Sequence, residues 1–128
     1  MRADWDEASG TLGEPTCWCA LDEARGRPDG AVVDAAGYYW SAGVSAGCLN
    51  QVAGDGQVLR TIGLPCRAPT MPAFGGALAE TLYVTSLVRD QWDAPGMCDG
   101  ALIAFPAPTK GAWGALFEDT LAASFSAS

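Results

Sequence analysis

The sequence contains no histidine. Without an imidazole the chain cannot assemble a Ser-His-Asp or Cys-His relay, and it lacks the side chain that most often serves as a general base near neutral pH. Any catalysis must therefore depend on carboxylates together with a bound metal. Phosphate-binding loops and the dinucleotide fingerprint are also absent, so the sequence does not indicate nucleotide binding.

Basic side chains are scarce. Seven Lys and Arg stand against fifteen Asp and Glu, which gives a formal net charge of -8 at pH 7. This charge repels phosphate backbones and anionic headgroups, so we expect neither nucleic acid nor a membrane surface as a partner. No apolar run approaches the ~20 residues that cross a bilayer, and the acidic N-terminus does not resemble a secretory signal. We therefore expect a soluble, cytoplasmic protein.

The five cysteines cannot all pair with one another, which favours reduced thiols. Cys17 and Cys19 are predicted to share one strand face, but the second Cys or His pair that a zinc site needs is missing. Cys48, Cys66 and Cys98 are predicted to be small buried apolar residues. We interpret all five as structural.

Short segments rich in β-branched and aromatic residues, bounded by Gly, Pro or Asp, predict β-strands. They include residues 31–34, 38–42, 81–86 and 101–105. Several are apolar on both faces, which predicts that both sides of their sheets are covered. The best helical candidate is residues 116–125, and residues 87–93 are predicted to form at most one turn. The fold class is therefore predicted to be all-β, with sheets packed on sheets.

An internal repeat indicates the architecture. Residues 38–42 are echoed by residues 82–86, and residues 47–50 by residues 100–103, at offsets of about 44 and 53 residues. A four-stranded propeller blade takes ~40 to 50 residues. We predict the end of a preceding blade over residues 1–24, with a strand at 16–21, one blade over 29–66 and another over 68–120. Hairpin turns are expected at Ala36-Gly37 and Asp55-Gly56, and a frayed tail over 122–128.

One carboxylate stands out from the turn residues around it. Arg27-Pro28-Asp29-Gly30 places Asp29 at the mouth of an apolar strand, where it can meet a cation or a water. Taken alone, Pro-Asp-Gly is more typical of a simple turn. Both interpretations remain open at the level of this tripeptide.

The order of the segments resembles the C-terminal part of a known family. The matching pieces are RPDGAVVD (27–34), GYYWSA (37–42), GCLN (47–50), DG (55–56), LP (64–65), PTMPAFGG (69–76) and TLYVTS (81–86). They are similar to the regucalcin and gluconolactonase (senescence marker protein) family, which includes luciferin-regenerating-enzyme-like proteins. The resemblance implies a six-bladed β-propeller, of which this chain would be a partial one, since the family fold is more than twice as long.

The resemblance also implies a function. Most family members are hydrolases of sugar lactones that hold a divalent metal (calcium, zinc, manganese or magnesium) at the central channel. Asp29 matches the family's metal ligand, which is also a proposed base or water-orienting group. Two further family ligands, a Glu and an Asn, have no counterpart here, so the isolated chain is expected to be inactive. Alternatives are self-association through open blade faces, with three copies closing a ring, and a non-catalytic propeller that binds a ligand.

The remaining conspicuous residues receive mainly structural interpretations. Asp34 and Asp55 are predicted to be turn residues rather than ligands. Thr70 is expected at the position in the second blade that Asp29 has in the first. Tyr39, Trp40 and Tyr83 are predicted to pack between blades. Trp92 lies in a predicted loop, where it either lines a substrate entrance or is an ordinary exposed aromatic.

Overall fold

A computed structural model describes residues 1–114, and this part of the chain is all-β, as predicted. Its strands are β1 (Trp5–Asp6), β2 (Thr11–Leu12), β3 (Pro28–Val33), β4 (Tyr39–Gly43), β5 (Cys48–Val52), β6 (Val58–Gly63), β7 (Pro69–Gly75), β8 (Thr81–Ser86) and β9 (Leu102–Pro106). The candidate helix at 116–125 and the predicted tail at 122–128 lie outside the described residues. Within those residues, no helix has the length and hydrophobicity to span a bilayer.

The strands form two main antiparallel sheets and one small hairpin. The first sheet has the order β3-β4-β5-β6 and runs from Pro28 to Gly63, while the blade bounds of 29–66 stay a prediction. Both predicted hairpin turns are present, and each places a glycine in the left-handed region, Gly37 at φ 83° and Gly56 at φ 88°. The second sheet has the order β7-β8-β9, so up to residue 114 the second predicted blade has three strands.

The two sheets pack face against face and approach most closely at their first strands, β3 and β7. The core between them contains Trp40, Ala42 and Leu49 of the first sheet and Leu82 and Val84 of the second, all buried. This is the arrangement of neighbouring propeller blades, with the first strand of each sheet on the inner side. The chain forms a partial β-propeller.

The strand pairing confirms the internal repeat and adjusts one of its offsets. Ser41 pairs with Asn50, whereas Val84 pairs with Ile103. Asn50 and Ile103 are 53 residues apart, as predicted, but Ser41 and Val84 are 43 apart, one fewer than the sequence echo indicated. Trp40, rather than Tyr39, is therefore the counterpart of Tyr83.

The other face of the first sheet is covered by the N-terminal segment. The Trp18 and Tyr39 rings pack edge to face with their centroids 5.5 Å apart, and the Trp18 indole N–H donates to the Gly54 carbonyl at 2.8 Å. The strand predicted over residues 16–21 is wrong, since Thr16 makes one isolated bridge with Arg2 and no strand follows before β3. This segment contacts the sheet through side chains instead of pairing along an edge. Its assignment to a preceding blade stays a prediction.

The second sheet is covered on one face only, in the part of the chain that the structure describes. Along β8 and β9 buried or half-buried residues alternate with more exposed ones, and Leu102 is 65% exposed. The expectation that the sheets are covered on both sides therefore does not hold for the second sheet within residues 1–114. Tyr83 is half-buried and lies over Gly75 of its own sheet, and its packing between blades stays a prediction.

Candidate functional site

Asp29 lies in a β-bulge on the inner strand of the first sheet. Pro28 pairs with Gly43 and Ala31 pairs with Ser41, so Asp29 and Gly30 together oppose a single residue of β4. A bulge leaves its extra residue unpaired and re-aims the side chain. Asp29 is exposed, and its carboxylate accepts no hydrogen bond from residues 1–114.

The bulge is held by a close approach between the two inner strands. A Cβ added to Gly30 would lie 2.6 Å from the Thr70 carbonyl oxygen and 2.6 Å from the Met71 sulfur. Only glycine fits there without a shift of β7. Because Asp29 adjoins this contact, it lies on the inner side of the paired sheets and not at their outer periphery.

The second sheet repeats the bulge with different chemistry. Pro69 pairs with Ser86 and Pro72 with Val84, so Thr70 and Met71 occupy the bulge. This pairing supports the predicted equivalence of Thr70 and Asp29. The Thr70 hydroxyl, however, is hydrogen-bonded to the Thr85 hydroxyl at 2.7 Å.

A complete metal site is not present in residues 1–114. No group of three or more His, Cys, Asp or Glu side chains is close enough there to hold an ion. Calcium takes six to eight oxygen ligands, and Asp29 supplies one carboxylate. The described residues therefore do not by themselves fit a metal, and any ion bound through Asp29 needs further ligands.

Asp34 is a structural residue, as predicted. It is 2% exposed at the end of β3, and its carboxylate accepts from the Tyr38 amide at 2.9 Å and from the Trp40 indole N–H at 2.9 Å. Burial alone would raise the pKa of Asp34, but these hydrogen bonds outweigh it and hold that pKa below its ordinary value. Asp55 is likewise a turn residue, because it accepts from the Gln57 amide two residues later.

A groove opens at the end of the sheets where β3 begins, and the connections between strands line it. Trp92 is one of its walls, and its role at a substrate entrance stays a prediction. Its lining comprises Arg27, Val44, Ser45, Ala46, Gly47, Leu64, Cys66, Arg67, Arg89, Gln91 and Trp92. Arg67 and Arg89 could not be predicted as site residues from the sequence, because nothing in their local sequence indicates that they meet.

The loop between β8 and β9 is folded around Asp99, whose side chain is 1% exposed. Asp99 accepts hydrogen bonds from the Arg67 amide, the Arg67 Nε and the Gly96 amide, each at 2.7 Å. The Arg67 amide is the main cause that lowers the pKa of Asp99. The Arg67 guanidinium in turn lies 3.8 Å from the centre of the Trp92 ring. The loop is thus anchored rather than extended into solvent.

The five cysteines are unpaired thiols. Cys48 and Cys66 are buried as predicted, and burial raises the pKa of both. Cys98 is half-buried and Cys17 is exposed, so the prediction of full burial is wrong for Cys98. None of them belongs to a metal-binding group in the described residues.

Comparison with known proteins gives consistent matches. The family model described as the SMP-30/Gluconolactonase/LRE-like region matches residues 1–88. The 6-deoxy-6-sulfogluconolactonase of Pseudomonas putida is 57% identical over 77 residues, covering 60% of this chain and 26% of that protein. Pentonolactonase XacC of Haloferax volcanii is 35% identical over 122 residues, covering 95% of this chain and 40% of that protein.

A solved structure supports the same assignment. Regucalcin of Agrobacterium tumefaciens, described as a calcium-binding protein, superposes with a TM-score of 0.81 at 27% identity, over 92% of this chain and 41% of that one. This chain therefore spans well under half the length of the proteins that it matches. The chain belongs to the SMP-30/gluconolactonase/LRE-like family.

Proposed function

We propose that this chain supplies the C-terminal blades and one catalytic carboxylate, Asp29, of a metal-dependent sugar-lactone hydrolase. Family membership supports the reaction class, and two relatives are named as lactonases. The observation that carries the role of Asp29 is its place in the bulge of the inner strand, exposed and without a hydrogen-bonded partner in residues 1–114. Asp34, in contrast, is buried and its carboxylate is occupied by structural hydrogen bonds.

In the proposed reaction, Asp29 orients a water and accepts its proton as the water oxygen attacks the lactone carbonyl carbon. A C–O bond forms, the ring C–O bond breaks, and Asp29 returns the proton to the departing ring oxygen, which becomes a hydroxyl, so the product is the open-chain hydroxy acid. General base catalysis of this kind contributes about 10²- to 10⁴-fold in rate.

We propose a divalent cation as cofactor, with Asp29 as one ligand. The calcium-binding description of the regucalcin neighbour supports this choice, as does the preference of calcium and magnesium for oxygen ligands. The remaining ligands are not present in residues 1–114, so we assign no step to the ion and expect the isolated chain to be inactive. The unpaired thiols support a reducing compartment, and we propose the cytoplasm.

A chimera tests the role of Asp29. The part of the Pseudomonas putida lactonase that aligns with this chain is replaced by this chain, and hydrolysis of sugar lactones is followed by acid release with calcium, zinc, manganese or magnesium. We expect activity that is removed by a chelator and reduced at least about 100-fold by Asp29→Asn. Asp55→Asn, in the hairpin turn of the same sheet, is the matched control. Full activity of the Asp29→Asn chimera would show that the assigned role is wrong.

A second candidate is self-association through the open face of the second sheet. Leu102 is 65% exposed on that face, and an uncovered apolar face favours association. Three chains arranged head to tail would close a six-bladed ring and place three Asp29 side chains around one axis. Light scattering that showed only a monomer or polydisperse aggregate would remove this candidate. A folded chimera that binds sugars but hydrolyses none would favour a non-catalytic binding module.

A further inference from the structure

The basic side chains of this acidic chain are concentrated at the groove beside β3. Three of the seven basic residues in the sequence, Arg27, Arg67 and Arg89, line it. No Asp or Glu side chain is part of its lining. In a protein of net charge -8, a groove lined by three guanidinium groups, of which only that of Arg67 is ion-paired, favours an anionic ligand.

Arg27 is held at the groove by its backbone. Its amide donates to the Ser45 hydroxyl at 2.8 Å, and its carbonyl accepts from the Val44 amide at 3.0 Å. Gly26 lies so close to the turn between β4 and β5 that an added Cβ would be 2.8 Å from the Ala46 Cβ. The position of Arg27 is therefore set by main-chain contacts, while its exposed guanidinium is free to contact a ligand.

Arg67 organises the groove. Its Nε and amide bind Asp99, its Nη2 donates to the Ala94 carbonyl at 3.0 Å, and its guanidinium plane covers Trp92. These contacts fix the loop that carries Arg89, and the carboxylate of Asp99 balances the charge of Arg67. We assign Arg67 a positioning role.

Arg89 and Arg27 form no ion pair within the described residues, although Arg27 also lines an adjoining depression with Asp22 and Glu23. The ion pairs found among residues 1–114 are Arg25 with Asp22 and Arg67 with Asp99, and neither Arg27 nor Arg89 takes part in one. Asp22 and Glu23 line an adjoining depression, where Asp22 is already paired with Arg25. Ser45 and Gln91 add neutral hydrogen-bonding groups to the groove.

We propose that this groove binds an anionic substituent of the sugar lactone, a sulfonate, phosphate or carboxylate, through Arg27 and Arg89. The proposal rests on the proposed function, because it concerns the substrate of the same site. A guanidinium presents paired N–H donors that match the oxygens of such groups. Arg27 is two residues from Asp29 in sequence, so a sugar anchored by its anionic end would extend toward the bulge.

Binding by the full 128-residue chain tests this proposal without hydrolysis. Isothermal titration compares 6-deoxy-6-sulfoglucose, glucose 6-phosphate and glucuronate with neutral glucose, none of which is a lactone. We expect at least one charged sugar to bind about tenfold or more tightly than glucose, with the tightest identifying the substituent. Arg27→Gln and Arg89→Gln should each remove most of this preference.

Arg60→Gln is the matched control. Arg60 is exposed on β6, the outermost strand of the first sheet, and its replacement removes the same unit of charge. We expect it to leave the preference for charged sugars intact. Circular dichroism and thermal unfolding establish that each variant is folded, and Arg89→Lys, which retains charge without the planar fork, should keep an intermediate preference.

The outcomes separate the two proposals. Equal binding of charged and neutral sugars, an equal loss in Arg60→Gln, or inorganic sulfate binding as tightly as the sulfonated sugar would each overturn the anion-binding groove. If the chimera fails to hydrolyse lactones while the charged-sugar preference and its arginine dependence persist, the proposed function falls and the groove stands. If the chimera hydrolyses lactones through Asp29 but the chain shows no preference for charged sugars, the proposed function stands and the anion-binding groove falls.

Discussion

The two sheets repeat the same pairing pattern, yet within residues 1–114 the first is buried on both faces and the second on one. Leu49 and Leu102 occupy equivalent positions in the two sheets. The pair Leu49 and Ala42 lies next to the pair Ser41 and Asn50, and the pair Leu102 and Thr85 lies next to the corresponding pair Val84 and Ile103. Leu49 is fully buried, whereas Leu102 is 65% exposed. Burial at this position is therefore decided by the neighbour and not by the residue or its strand.

The two leucines have different neighbours because each sheet turns the same face toward the next sheet along the chain. The face of the first sheet that carries Trp40 packs on the second sheet, while its opposite face packs on the N-terminal segment through Tyr39 and Trp18. The face of the second sheet that corresponds to the Trp40 face carries Tyr83 and Leu102 and is open in the described part of the chain. Stacking in this sense is what a propeller requires, since every blade offers the same face to the next.

The two bulges show a similar contrast at the inner strands. Asp29 is exposed without a hydrogen-bonded partner in the described range, whereas the Thr70 hydroxyl at the equivalent position is bound to Thr85. The common backbone geometry is thus used for a free carboxylate in one sheet and for an internal hydrogen bond in the other. This contrast favours Asp29 over Thr70 as the reactive position.

The largest expected effect tests the contrast between the equivalent leucines. Leu49→Ala should lower the free energy of unfolding by about 2 to 5 kcal/mol, because it removes a fully buried side chain and leaves a cavity. Leu102→Ala should change it by about 0.5 kcal/mol or less. Urea unfolding at several protein concentrations measures both. A comparable loss for Leu102→Ala would mean that its face is covered in solution, as self-association would produce.

A smaller effect concerns Asp34, whose counterpart in the second sheet is Gly75. Asp34→Asn should cost about 2 kcal/mol at neutral pH, because the new amide cannot replace both charged acceptor contacts. The folded-state pKa of Asp34 lies below its ordinary value, so its stabilising contribution is present above about pH 4 and is lost as the pH falls through that folded pKa.

Unfolding measured from pH 7 downward should therefore show the stabilities of the wild type and Asp34→Asn converging in acid. A difference between the two proteins that stays constant down to pH 2 would contradict the role assigned to this carboxylate. Gly75 has no side chain that could accept these hydrogen bonds, so the second sheet has no buried carboxylate at the equivalent position.

The smallest effect tests how closely the two sheets approach each other. The Met71 sulfur can rotate away from an added Cβ, but the Thr70 carbonyl oxygen is backbone and requires a shift of β7. Since overpacking costs about 1 to 3 kcal/mol, we expect Gly30→Ala to cost about 1 to 2 kcal/mol. Gly63→Ala, at a strand position with nothing within 4 Å of the added Cβ, should be neutral or slightly stabilising. Thermal unfolding of both variants makes the comparison, and an unaffected Gly30→Ala would show that the inner strands are not in close contact.

Much of the fold could be predicted from the sequence, because turn chemistry and strand composition are local properties. The turns at Gly37 and Gly56 require left-handed backbone that glycine adopts freely, and the repeat of 53 residues predicted that β9 is the counterpart of β5 in the next sheet. The N-terminal segment was mispredicted as a strand since its aromatic and cysteine residues are compatible with both pairing and face packing. Composition does not distinguish these two uses.

The candidate site likewise has features that the sequence determines and features that only the tertiary structure determines. The sequence by itself determined the all-β class, the two hairpin turns and the lack of any histidine that could act with Asp29, because these follow from residue type and order. Only the tertiary structure decided which of two equivalent leucines is buried, and which arginines meet at the groove. Burial and charge clustering depend on contacts between segments far apart in the chain, and no local pattern records which segments become neighbours.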